Sequence, residues 1–505
     1  MGPMHPLRTT IDLDAIAANT QQLKAQATPA RLMCVVKADA YNHGIERCVP
    51  VMRAAGADAF GVATFAEARR VRELTDAPVL AWLWDIAQPI PEGIDIAAPS
   101  LAHVPSLIDA PLTPTVYLKV ETGMHRAGID EADWAEAFEL ANQAEKKGAI
   151  KVAGLMSHLA AADDPEDPYT DAQAEAFRRA IAMAREAGLG VECNHIANSA
   201  ATLTRPELHF DMVRAGVALY GLEPVAGREH GLAPAMTWTS SVLAVKRVEA
   251  GDTVSYGRTW AAPADGWTAV VGAGYADGVQ RGWQGALQVG IGGTHYPQVG
   301  RVCMDQIVVW LGENTGGVAA GDRAVLFGAG GVSATELADA AGTINYEVAC
   351  TPKGRTVREY LFPVEGMRVC DGAVDTQELG RELGATLKAG DVVVLEGPLG
   401  AGKTTLTQGI AQGMGVKGRV TSPTFVIARQ HRSLVGGPDL VHVDAYRLGG
   451  MAELDALDLD TELEDAVVVA EWGEGFVEQL APGYIHVCIN RDADERVITW
   501  RRGGM

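Results

Sequence analysis

Over residues 8–225 of this 505-residue chain, eight short apolar runs alternate with amphipathic stretches of helical period. The runs are RLMCVVKADAY, ADAFGVAT, PVLAWLWD, GIDIAAPS, PTVYLKVETG, KVAGLMSHLA, GVECNHIANS and HFDMVRAGVALYG. Segments such as AEARRVRELT and DAQAEAFRRAIAMAREAG lie between them. Strands apolar along their whole length must be covered on both faces, a condition met by a parallel sheet wrapped in helices. Eight such units predict a closed (β/α)8 TIM barrel, which keeps its chemistry where the strands end. Lys37, Lys119, His158, Asn198, Ser199 and Arg214 all end or follow an apolar run, and so fall at that rim.

The pattern breaks near residue 230. Short β-type runs with glycine turns follow, as in GALQVGIGGTHYPQVGRVCMDQIVVW, and predict a mainly-β domain. GMRVCDGAVDTQ reads as a linker, and a third pattern of α/β type opens after it. The expected division is a barrel over 4–230, a β-domain over 231–364, a linker over 365–375 and an α/β P-loop NTPase domain over 376–502. The formal charge of −22 argues against a broad nucleic-acid-binding surface, because phosphate contacts need clustered Lys and Arg. The seven cysteines are scattered with no CxxC pair, so neither a zinc motif nor a disulfide framework is read from them. No apolar run is long enough to span a bilayer, and MGPMHPLRTT lacks the apolar stretch of a signal peptide. A cytoplasmic location is expected.

Lys37 ends a strand in VVKADAYNHG. Desolvation there would lower its pKa and free the amine for carbonyl chemistry. Taken alone, the residue reads better as a rim lysine reaching solvent. Its surroundings change that reading. The VVKADAY stretch, LKVETGMHRAG, GLMSHLA, HIANSAA, VRAGVALYG, VSYGRTW, GYADG, GRVCMDQ and TINYE together resemble the alanine racemases, in that family's order, across residues 8–364. The resemblance implies a barrel binding pyridoxal 5'-phosphate (PLP), a following β-domain and a head-to-tail homodimer.

It also implies roles. Lys37 would carry the cofactor and serve as one of two catalytic bases. Tyr275 would be the opposing base, supplied by the other subunit, so that a proton leaves one face of the substrate and returns to the other. A tyrosine is a poor base at its ordinary pKa of about 10, so it needs cationic or hydrogen-bonding neighbours. His158 and then Arg214 would supply them. Arg214 would face the pyridine nitrogen and keep it unprotonated. Tyr41, Ser199, Gly216, Val217 and Tyr346 would hold the phosphate, with His195 and Asn198 behind or beside the ring. Arg126 and the N–H of Met304 would take the substrate carboxylate, and Lys119 matches a lysine that is carbamylated in many members. The chain departs from the family at His125, where GMHRAG replaces the commoner GMGRAG-type turn, and at Ala215, where proline is frequent.

GPLGAGKTT fits G-x-x-x-x-G-K-[ST], follows the apolar run DVVVLEG and opens a helical stretch, which is the setting the motif requires. Gly397, Gly400, Ala401, Gly402, Lys403, Thr404 and Thr405 would cradle the phosphates of ATP, with Thr404 on Mg2+. SPTF, H-x-D-x-YRL and VAEWGE follow in order. This part resembles the small bacterial ATPase of tRNA threonylcarbamoyladenosine formation, TsaE, over about residues 372–480. Thr424 then matches a switch-type threonine, Asp444 and Glu471 acidic residues near the metal, and Trp472 the partner of Glu471. The metal and water-positioning roles stay undivided between the two acids.

The combined expectation is a bifunctional chain that interconverts L- and D-alanine and hydrolyses ATP in support of tRNA modification. It would work with TsaB/TsaD-type subunits that grip the tRNA, and with no membrane. The rivals are a racemase for serine, a decarboxylase or non-catalytic PLP-binding barrel, and a small-molecule kinase or regulatory nucleotide module at the C-terminal end. A non-catalytic barrel would lack the β-domain and Tyr275, and a decarboxylase would usually place an acid where Arg214 stands.

Overall fold

The computed structural model describes residues 7–361, 366–418, 420–421, 428–445, 463, 465–472, 484–492 and 495–503. The chain forms two compact units, one made of His5–Ile11 with Ala15–Arg358 and the other essentially Glu359–Met505.

In the first unit seven parallel strands run in the order Lys151–Met156, Thr115–Lys119, Asp95–Ala98, Val79–Ala81, Ala59–Val62, Arg31–Val35 and Met212–Ala215. Seven of the eight apolar runs supply them. The eighth, GVECNHIANS, is not a regular strand but still closes the ring. The Cys193 N–H bonds to the Ala153 carbonyl, His195 bridges Met156 in parallel, and the Arg214 N–H bonds to the Ala197 carbonyl. The reason lies at Gly154, where a Cβ would sit 1.9 Å from the Cys193 carbonyl oxygen. The two backbones approach too closely for an ordinary pleated pair. The barrel interior is filled by Met33, Ala59, Leu80, Ala97, Tyr117, Met156, Cys193 and Met212, one from each of the seven strands and one from the closing segment.

Helices cover the outside. Thr64 starts Phe65–Arg72 with a capping box, in which its hydroxyl accepts from the Glu67 N–H and Glu67 returns to the Thr64 N–H. The same carboxylate accepts from the Ala38 N–H at 2.7 Å, so a helix cap also fixes the residue after Lys37.

The β-domain is built on the 13-residue strand Met236–Val248. It pairs with Arg323–Phe327, with Gly266–Val271 and with Arg8–Asp12, all antiparallel. The pairing of Gly266–Val271 with both Ile307–Gly312 and Met236–Val248 closes this sheet on itself. The start of the chain, expected within the barrel, therefore lies in the β-domain sheet, with Arg8 opposite Thr239 and Ile11 opposite Met236. Its alternating burial suits an antiparallel ribbon rather than a doubly covered barrel strand.

The second unit holds a seven-stranded sheet in the order Gly366–Cys370, Glu495–Gly503, Tyr484–Asp492, Val392–Glu396, Ala466–Glu471, Asp439–Asp444 and Ala428–His431. The four central strands are parallel from Tyr484–Asp492 to Asp439–Asp444, with antiparallel edges. The stretch 365–375, read as a linker, instead contains the edge strand Gly366–Cys370 and the start of the helix Ala373–Gly384. The ring of Trp500 lies over Gly366, 2.4 Å from where a Cβ would be, which draws this stretch into the sheet. Helices Ala373–Gly384 and Lys403–Met414 pack closely through four glycines. A Cβ on Gly380, Gly384, Gly409 or Gly413 would meet a facing carbonyl oxygen at 2.1–2.3 Å. Among the described residues no helix is long and apolar enough to cross a membrane.

Gly154→Ala should destabilise the first unit by about 2–4 kcal/mol, because backbone on both sides must move. The midpoint of denaturant unfolding followed by the first unit's signal measures this. An unchanged midpoint would mean that close approach does not set the closing segment.

Candidate active sites

The strand Arg31–Val35 delivers Lys37 to the rim. The chain then makes an unusual turn. Ala38, Asp39, Ala40 and Tyr41 all lie in the left-handed helical region, with φ of 52–56°. Each such residue costs roughly 1–2 kcal/mol, so the turn must be held from outside. Arg358 bonds to Asp39 and Asn42, both at 2.8 Å, and Arg70 bonds to Asp39 at 3.0 Å. The Asn42 amide donates to the Pro352 carbonyl at 2.9 Å. Burial tends to raise the Asp39 pKa, but the Ile45 N–H and Arg358 outweigh it and hold the carboxyl below its usual range. The buried imidazole of His43 lies within hydrogen-bond reach of the Ala40 and Tyr41 carbonyls.

The Lys37 ammonium lies 5.9 Å from the centre of the Trp82 ring. Burial, then the Arg126 charge, lowers its pKa, against opposing pulls from Glu67 and Cys350. Arg214 is buried at the centre of the rim. It donates to His195 Nδ1 at 2.7 Å, to the Ser157 carbonyl at 2.6 Å and to His158 Nδ1 at 3.2 Å. Burial pushes the guanidinium down to about 10, so it is still charged at neutral pH. Both histidines are held well below their ordinary value, by burial first and Arg214 second. Each therefore accepts through Nδ1 and keeps its proton on Nε2. His195 Nε2 is buried without a hydrogen-bond partner among the described residues.

Tyr41, Ser199, Gly216, Val217 and Tyr346 come together. The rings of Tyr41 and Tyr346 are 6.3 Å apart. A Cβ on Gly216 would meet the Tyr41 hydroxyl at 2.6 Å, so the bare glycine lets that hydroxyl close on the turn. The Ser199 hydroxyl accepts from the N–H of Gly216 at 2.8 Å and of Ala218 at 3.3 Å. Asn198, expected beside the ring, uses its side chain to cap Ser199–Thr204 by accepting from the Ala201 N–H. This cluster of hydroxyls and amide donors suits a phosphate, and a Lys37 amine whose pKa is lowered by burial suits an aldehyde, so the residues fit PLP.

Lys119 is buried, and burial, then Arg214 and Arg126, push it down to about 8. Arg126 is exposed. His125 beside it has φ 53°, a left-handed geometry that favours glycine. Tyr275 and Met304 are 40 % and 53 % exposed on this chain. Their backbones are paired, since the Tyr275 N–H bonds to the Cys303 carbonyl and the Ala276 N–H to the Met304 carbonyl. Asp277, fully buried, anchors this loop through paired bonds of 2.7 Å from Arg355. Neither Asp277 nor Arg355 is among the residues expected from the sequence; the signal there is the acid two residues after Tyr275 in GYADG.

In the second unit, Val392–Glu396 leads into the glycine loop. Gly397, Gly400 and Gly402 have φ of 151°, 78° and 113°. Ala401 is buried, and its carbonyl accepts from Arg496. Lys403, Thr404 and Thr405 open the helix Lys403–Met414. The Lys403 ammonium donates to the Gly397 carbonyl at 2.5 Å and stands 3.6 Å from the centre of the Trp472 ring. Burial lowers its pKa, opposed by Glu471 and Asp444. The Thr404 hydroxyl donates to Glu471 at 2.9 Å. Asp444 and Glu471 are register partners at the ends of adjacent parallel strands. His442, not among the residues expected from the sequence, is fully buried with Nε2 3.0 Å from the same Glu471 oxygen. Its spacing of two from Asp444 on one strand was the signal. Thr424 lies outside the described residues.

Family models match the chain in three successive stretches. Residues 11–224 match the family model of the alanine racemase N-terminal domain, and 235–360 that of its C-terminal domain. Residues 370–498 match the model of the threonylcarbamoyl adenosine biosynthesis protein TsaE. The alanine racemase of Corynebacterium efficiens is 57 % identical over 365 residues, covering 71 % of this chain and 99 % of that protein. The crystal structure of alanine racemase from Corynebacterium glutamicum superposes with a TM-score of 0.66 at 51 % identity, covering 71 % of this chain and all of that one. That of Streptomyces lavendulae, a D-cycloserine producer, gives 0.68 at 40 %, covering 71 % and 97 %.

The Lys119 amine protonates less readily in the folded chain than in the unfolded one, whose lysines titrate near 10.4. Between about pH 8 and 10 the unfolded state thus binds more protons, and stability rises with pH. In the cofactor-free chain, Lys119→Met should be the more stable form at pH 7, with an advantage that shrinks from pH 8 to 10. Denaturant titrations across that range test this, and a difference independent of pH would contradict it.

Proposed function

The chain belongs to the alanine racemase family, and on that premise we propose that residues 11–360 interconvert L-alanine and D-alanine with PLP. The C-terminal TsaE domain is a P-loop ATPase, for which we propose turnover of Mg-ATP in tRNA threonylcarbamoyladenosine formation beside TsaB/TsaD-type subunits. The observation that carries the first reading is the placing of Arg214, charged and buried, between two neutral histidines at the rim that also holds Lys37, whose pKa burial lowers.

When bound, PLP supplies an aldehyde for Lys37 and a ring that acidifies the substrate's α-carbon proton. Tyr41, Ser199, Gly216, Val217 and Tyr346 would hold its phosphate. Arg214 would meet its ring nitrogen as a donor that stays charged, which would keep that nitrogen unprotonated. His195 holds Arg214 in place. Lys37 moves a proton at one face of the α-carbon. Tyr275 of a second copy of the chain moves one at the opposite face, and the Nε2–H of His158 is available to stabilise its phenolate. Arg126, which a carbamylated Lys119 would steady, and the N–H of Met304 bind the carboxylate. This arrangement makes the homodimer the working unit. In the ATPase part, Lys403 and the loop N–H groups bind phosphate, while Thr404, Asp444 and Glu471 surround Mg2+, which offsets charge on the transferring group. Trp472 shields Lys403, and Thr424 would complete the set as a switch residue.

Mixing two inactive variants tests the shared site. Lys37→Ala and Tyr275→Phe chains should each lose racemisation. Unfolded and refolded together with PLP, they should recover about a quarter of wild-type activity, because half the dimers are mixed and each carries one intact site. Lys403→Ala should lose ATP turnover by roughly 10²-fold and leave racemisation unchanged. Mixtures that stay inactive would place Tyr275 in its own chain's site, and a Tyr275→Phe chain that keeps its activity alone would place it outside the mechanism.

A further inference from the structure

The second unit carries a cluster that neither chemistry uses. Val392–Glu396 and Tyr484–Asp492 are adjacent parallel strands, and their register sets Glu396 directly against Cys488. His486 lies two residues before Cys488, on the same face of its strand. One ligand atom from each of the three residues lies within 4.8 Å of the other two. Cys488 Sγ donates to Glu396 Oε2 at 2.9 Å and stands 3.8 Å from His486 Nδ1.

His486 supplies the second observation. It is only 7 % exposed, and its Nε2 makes no hydrogen bond among the described residues. Glu396 Oε2 is nevertheless 3.1 Å away. The two atoms are thus close with no hydrogen bond between them. Ligand atoms around a tetrahedral cation are roughly 3–4 Å apart, given metal–ligand bonds of about 2.0–2.3 Å. The Glu396 side chain is 43 % exposed, which opens the cluster to solvent on one side.

We propose that Glu396, His486 and Cys488 form a binding site for a borderline-soft divalent cation of the zinc class, with the fourth position open to water. The donor set selects the metal. Thiolate and imidazole suit zinc and its neighbours, whereas magnesium and calcium take oxygen ligands. The site is distinct from the Thr404–Glu471 pair, which offers oxygen alone. Binding breaks the Cys488 S–H bond and forms a metal–sulfur bond, and the proton leaves to solvent, so affinity rises with pH. Glu396 immediately precedes Gly397, whose carbonyl accepts from Lys403. A bound cation would therefore fix the strand end from which the glycine loop springs.

Cobalt(II) is the probe, added to the full chain after dialysis against chelator. One equivalent per chain should give a thiolate-to-cobalt charge-transfer band with visible d–d bands, and zinc should remove both. Cys488→Ser should abolish the charge-transfer band, and His486→Gln should weaken cobalt binding at least tenfold. Cys303→Ser and Cys350→Ser, at the other cysteines that are not buried, should leave it unchanged. Circular dichroism checks folding, and if Cys488→Ser misfolds then His486→Gln decides. No charge-transfer band in the wild-type chain, a band that survives Cys488→Ser, or unaltered affinity in His486→Gln would overturn the proposal.

Discussion

The left-handed turn that follows Lys37 governs the first unit. Such a turn is unfavourable on its own at Ala38, Asp39, Ala40 and Tyr41. It persists because charged and polar groups from three places grip it. Glu67 holds it from a helix cap, Arg70 from the body of that helix, and Arg358 from the end of the β-domain. The position of Lys37 on one side of the turn and of Tyr41 on the other thus depends on both domains. A barrel alone would carry the lysine but would lack the Arg358 clamp. Barrel and β-domain accordingly form one compact unit.

The two sites handle charge in opposite ways. At the barrel rim Lys37, Lys119, Arg126 and Arg214 influence one another, and the result is depressed lysines and neutral histidines. At the glycine loop one buried lysine faces two acids, and its ammonium is held by the Gly397 carbonyl and Trp472. That arrangement favours binding of phosphate with a cation over proton transfer. Each set of residues lies within its own unit.

Much of this was legible in the sequence. Periodicity located the barrel strands, and the glycine loop with its flanking strand and helix was readable from spacing alone. The motifs gather Lys37, His158, Arg214, Tyr41, Ser199, Gly216 and Tyr346, residues that the fold brings to the barrel rim. What stayed hidden has physical causes. The eighth barrel element is apolar like the others, but a single close approach at Gly154 keeps it from pairing regularly. The stretch 365–375 is polar and glycine-bearing, so it reads as a linker until Trp500 covers Gly366. Arg8–Asp12 belongs to a sheet whose other strands come more than two hundred residues later, a long-range pairing that local pattern does not show. His442 and Asp277 act through partners distant in sequence, Glu471 and Arg355, and only the fold brings those pairs together.

The most direct measurement is the rate of alanine racemisation by the purified, PLP-loaded full chain, with and without Mg-ATP. Two separate chemistries on one chain predict that L- and D-alanine interconvert at a rate independent of ATP. No racemisation by the loaded chain, or a rate that changes when Mg-ATP is added, would contradict that account.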